Sequence, residues 1–154
     1  MQSAAPGITG QIAGIGSTTP VQLTVQGTAL NNGVTVRAMA GNSGKLYVGQ
    51  QVASTAAAWQ AGHTYALGAV VKVNGGVYVC TTAGDSAGSG GPTGTGAGIV
   101  DNTAKWDYQS TYQISALNAF ELNASESHFF RVSDASTLFV LGSAANQVVA
   151  FEGS

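Results

Sequence analysis

One stretch restricts the fold of this chain more than any other: Gly68 to Cys80, reading GAVVKVNGGVYVC. Val70 to Val73 and Val77 to Cys80 are β-branched runs joined by Asn74-Gly75-Gly76, and Asn and Gly are the residues that tolerate the positive φ of a tight hairpin turn. The spacing predicts a β-hairpin. A lone hairpin is marginal in water, so further strands have to cover it. Alternation elsewhere supplies them: Val21, Leu23 and Val25 alternate with Gln22, Thr24 and Gln26, and Val34, Val36 and Ala38 alternate with Thr35 and Arg37 after an Asn-Asn-Gly turn. Lys45 to Val48 follows another turn. Toward the C-terminus, strands are expected near Ala119 to Leu122, His128 to Val132, Thr137 to Leu141 and Val148 to Phe151.

These flanking segments supply about seven strands. Thr137 to Leu141 and Val148 to Phe151 are apolar on both faces, so both are expected to be covered on both sides, by a second sheet or another subunit. Only 8% of the 154 residues are charged, and straight-chain helix formers are scarce beside Gly and β-branched residues. The fold class expected is all-β: a β-sandwich or jelly-roll-like domain formed by residues 20–56 and 110–154. A small inserted β-hairpin module occupies 57–109. Residues 1–19, Gly, Ala, Ser and Thr with isolated Ile8, Ile12 and Ile15, read as a flexible N-terminal arm able to order on a neighbouring subunit. The sixteen residues from Ala83 to Gly98, seven of them glycine, read as a flexible loop.

Charge and motif content narrow the function classes. A net charge of −2, with five unclustered Lys and Arg, lacks the basic footprint that nucleic acid or an anionic membrane surface requires. No apolar run reaches bilayer length and the N-terminus lacks a signal-peptide pattern, so a soluble product is expected. Cys80 is the sole cysteine and reads as a small buried hydrophobe. His63 and His128, the only histidines, have no Cys or carboxylate at metal-ligand spacing and read as surface or strand residues. Asp101, Asn102 and Asp107 follow no calcium-loop spacing and read as turn and helix-cap-like residues. The glycine-rich loop lacks Gly-Lys-Ser/Thr and opens no helix, so it is no phosphate cradle. Neither an enzyme nor a cofactor or metal site is expected.

The insert holds Trp59, Tyr65, Tyr78, Trp106 and Tyr108, five of the twelve aromatics and both tryptophans. Sugar rings stack their C–H faces on such side chains, which makes these five candidate glycan-binding residues. A module of about 50 residues with no disulfide also needs large side chains simply to fill a core.

Trp59, Tyr65, Gly68, Val70, Asn74-Gly75, Tyr78, Gly91-Pro92-Thr93, Asp101-Asn102-Thr103, Trp106 and Tyr108 together resemble the small aromatic modules of bacteriophage tail, fibre and head proteins, which are similar to short chitin-binding modules. The flanks, with LYVG at Leu46 and SDASTLFVLGSAANQVV from Ser133, resemble small sandwich proteins of tailed-phage virions. The resemblance implies a capsid decoration (cement) protein on the outer surface of a phage head, made in the host cytoplasm. Its implied partners are the major capsid protein and further copies of itself, as dimer or trimer. A carbohydrate-binding adhesin of the head, tail or fibre, contacting host or environmental glycans, is the alternative.

Overall fold

The computed structural model describes residues 7–24, 29–52 and 54–154. Strands dominate throughout, and a single short 3₁₀ turn at Ala135–Thr137 is the helical element among the described residues. The chain divides into two compact units, Met1–Gln50 with Ala119–Ser154, and Gln51–Asn118. The division lies at 50/51 and 118/119, several residues outside the boundaries read from sequence.

In chain order the first unit begins with β1 (Ile8–Ile15), β2 (Val21–Gln22), β3 (Val34–Ala38) and β4 (Leu46–Gln50). The second unit contains β5 (Ala57–Ala58), β6 (Thr64–Tyr65), β7 (Val70–Val73), β8 (Gly76–Thr82), β9 (Gly84–Asp85), β10 (Ile99–Asp101) and β11 (Ala104–Thr111). The first unit resumes with β12 (Phe120–Leu122), β13 (Ser127–Phe130), β14 (Leu138–Gly142) and β15 (Gln147–Gly153).

The first unit is a β-sandwich of two four-stranded antiparallel sheets. One has the order β1-β15-β3-β13 and the other β12-β4-β14-β2. Alternation along each strand turns one set of side chains inward. Val34, Val36, Ala38 and Val149 from the first sheet meet Leu46, Val48, Leu122, Leu138 and Val140 from the second in one buried cluster. Strand β14 is inner to its sheet and buries Leu138, Val140 and Leu141. The two-sided covering expected for Val148 to Phe151 is not met in full: Val148 and Ala150, on the outer face of β15, are only half-buried.

Residues 8–15 are not a free arm. They form β1, which pairs with β15 from Ile8 opposite Gly153 to Ile15 opposite Gln147. Ile8, Ile12 and Ile15 all join the sandwich core, although period-2 alternation sends Ile15 to the opposite face from Ile8 and Ile12. A register shift between Ile12 and Ile15, with Gly14 at φ +73°, restores parity by inserting an extra residue. Gly10 carries no side chain because the Phe151 ring opposite lies over it: a Cβ there would sit 2.4 Å from the ring. Of the strand expected at Val21 to Val25, Val21 and Gln22 are paired with β14 and Leu23 is buried; Val25 falls outside the described residues.

Strands β4 and β12 are antiparallel neighbours, with Val48 opposite Phe120 and Leu46 opposite Leu122. The second unit therefore occupies the connection of what is otherwise an ordinary hairpin of the sandwich.

Candidate functional site: the aromatic insert

The second unit is organised on a five-stranded sheet of order β10-β11-β8-β7-β5, with a two-stranded β6-β9 ladder beside it. Its central hairpin, β7–β8, closes with Val73 opposite Gly76, so the turn is the two residues Asn74-Gly75. Both have positive φ, +52° and +82°, as a type I′ turn demands. Gly76, grouped with the turn on sequence, is the first residue of β8, and the Tyr78 ring covers the space where its side chain would be.

Three of the five candidate glycan-binding residues are core. Trp106, Tyr78 and Tyr65 are buried at 0%, 2% and 7% exposure, with Val71, Cys80 and Ala104 around them. Tyr65 stands edge-on to Trp106 at 4.9 Å between ring centroids, and Tyr78 edge-on to Tyr108 at 5.7 Å. Trp59 and Tyr108 are half-buried against the same cluster. No platform of five exposed rings exists, because a unit of this size with no disulfide uses its largest side chains as interior. Cys80 is buried as expected, and burial pushes its thiol pKa above the ordinary value while its Sγ donates to the Thr82 carbonyl at 3.2 Å.

The polar centre of the insert is Asp101, a buried carboxylate at the end of β10. Its Oδ2 accepts hydrogen bonds from both indoles, Trp59 Nε1 at 2.8 Å and Trp106 Nε1 at 3.2 Å, and its Oδ1 accepts from the Ala87 amide at 2.9 Å. Three N–H donors converge on one buried charge, which is the arrangement that makes such burial tolerable. The side chain thereby connects the start of the insert, its last long strand and the loop after β9. Asn102, at φ +59°, and Thr103 form the turn from Asp101 to Ala104, as the Asp-Asn-Thr run indicated. Asp107, read from sequence as a turn or helix-cap-like residue, lies instead within β11 opposite Val79, where its Oδ1 accepts from the Gly98 amide at 2.7 Å. Asp101 and Asp107 are thus engaged by protein donors, and among the described residues no cluster of three metal-ligating side chains occurs.

The glycine-rich segment, read from composition as a flexible loop, is clasped along its length. Asn74 Nδ2 donates to the carbonyls of Gly90 at 2.7 Å and Pro92 at 3.2 Å, and the Tyr78 hydroxyl donates to Gly94 O at 3.0 Å. The Tyr108 amide donates to Gly96 O at 3.0 Å. Gly91 passes directly under Trp59, where an added Cβ would lie 3.0 Å from the indole. Here glycine serves close approach of backbone to an aromatic ring.

The histidines are far apart in role. His63 stands edge-on to Tyr65 at 4.6 Å in the insert, whereas His128, in the sandwich, stacks on Phe120 at 3.9 Å and meets Phe130 at 4.9 Å. Asp101 as a shared acceptor for two indoles was missed from sequence, since nothing local links Trp59 to a residue 42 positions on. Compared with protein-family models, curated proteins and solved structures, the chain matches none of them.

Proposed function

We propose that the chain is a structural virion protein, a capsid decoration or cement protein that binds the major capsid protein of a phage head as a dimer or trimer and presents the insert outward. One observation carries this reading beside the sequence resemblance: a self-cored unit hosted in the connection between two strands that pair with each other. Such an attachment lets the sandwich keep its own ladder while the guest is displayed, and surface connections are where insertion is best tolerated. The alternative, a glycan-binding adhesin working through the insert, is narrowed by the burial of Tyr65, Tyr78 and Trp106, which leaves Trp59 and Tyr108 as its accessible rings.

Purifying the particle that contains this chain and counting copies against the major shell protein tests the proposal. Hundreds of copies, and heat-induced loss of genome at lower temperature in particles stripped of the protein, are expected. A handful of copies at one vertex or tail assigns it elsewhere.

A further inference from the structure

The β1-β15-β3-β13 sheet turns one face away from the sandwich core. It holds a groove of about 640 Å³ crossed by all four strands, inside the ~300–1,000 Å³ range of small-ligand sites. Strand register fixes what faces it. Gln11, Ala150 and Arg37 fall in one cross-strand row, and Thr9, Glu152, Thr35 and Phe129 in the next. The groove continues into a hollow of about 370 Å³ that shares Thr9, Thr35 and Glu152 and is walled by Phe129. At about 4.8 Å per strand the run from β13 to β1 is about 14 Å, longer than one sugar ring.

The chemistry of the lining is specific. Phe129 is 50% exposed on this face. The side chains of Gln11, Arg37 and Glu152 make no hydrogen bond or ion pair with any described residue, so donors and acceptors are presented to solvent around a half-exposed ring. Ala150, at the centre of its row, leaves the floor open. One cation and one anion cancel, which suits neither a polyanion such as nucleic acid nor a charged peptide. A peptide strand would bond to a sheet edge rather than lie across a face. We infer that this groove is a binding site for a neutral oligosaccharide: Phe129 stacks on the apolar face of a pyranose, Arg37 and Gln11 donate to its oxygens, and Glu152 accepts from its hydroxyls. The inference is independent of the capsid reading and assigns glycan binding to the sandwich rather than the insert.

The full chain is titrated by calorimetry and saturation-transfer NMR with cellotriose, maltotriose, mannotriose and chitotriose. At least one binds, Phe129→Ala and Arg37→Gln each weaken it tenfold or more, and Trp59→Ala leaves it unchanged. Thermal melts of both groove variants overlay the parent, since both side chains are solvent-facing. Absence of binding to all four sugars overturns the inference. So does binding that Trp59→Ala or Tyr108→Ala abolishes while Phe129→Ala spares it, which returns the site to the insert. Copy number on the particle is unaffected by any of these outcomes, so the two proposals fail separately.

Discussion

At the scale of single residues, Asp101 governs the insert. Replacing it with Asn keeps the shape but substitutes an NH₂ for one oxygen, leaving a donor facing donors, while Ala leaves both indoles and the Ala87 amide without an acceptor. Asp101→Asn is expected to destabilise the insert by about 3 kcal/mol, as removal of a buried charge-assisted acceptor does. Both tryptophans lie in this unit, so urea denaturation followed by tryptophan fluorescence reports on it directly. Gly75→Ala is a second strong case, since the new Cβ would stand 2.3 Å from the Gln113 carbonyl oxygen at a φ of +82°. A loss of about 2 kcal/mol or more is expected by the same fluorescence measurement. Cys80, buried and with its thiol pKa pushed up, should resist alkylation by iodoacetamide near neutral pH until the insert unfolds; mass spectrometry along a urea gradient checks this. The residue scale also explains the missed first strand. Ile8, Ile12 and Ile15 break period 2, and nothing in the sequence announces the register shift that turns Ile15 inward.

At the scale of elements, the β7–β8 hairpin was legible because its turn is chemically unambiguous, and β3, which alternates cleanly, lies where it was expected. The glycine-rich loop was misread for a physical reason: composition reports the entropy a segment has available, while Asn74, Tyr78 and Trp59 supply hydrogen bonds and a packing surface from outside it. This clasp has a pH signature. Burial, with Tyr108 and Tyr112 nearby, raises the Tyr78 pKa above its ordinary 10.0. The folded state therefore holds that proton more tightly than the unfolded chain, so the stabilisation is present below pH 10 and is lost as pH rises through the folded value. Denaturation midpoints of the insert should fall on the alkaline side, with a smaller fall in Tyr78→Phe, which also lacks the bond to Gly94.

At the scale of the molecule, the chain ends make the scaffold and its middle makes the guest. Joining Gln50 to Ala119 through a short Asn-Gly turn should preserve the sandwich, because β4 and β12 already lie side by side in register. Circular dichroism and amide exchange on the excised protein check this, and loss of the β1–β15 ladder would show that the two units are not separable. Pairing β1 with β15 closes a loop of nearly the whole chain, so the sandwich is expected to fold slowly, in the millisecond-to-second range typical of nonlocal β topologies; stopped-flow circular dichroism measures it.

By itself the sequence determined the all-β class, the hairpin, the existence of an insert and the burial of Cys80, because turn chemistry and alternation act between near neighbours. Only the tertiary structure decided that the first isoleucines belong to the sandwich, that two indoles share Asp101, and that Phe129, Arg37 and Glu152 share one sheet face. Each of those depends on which distant strand lies alongside and in what register, a choice made by whole-core packing and invisible to any local window.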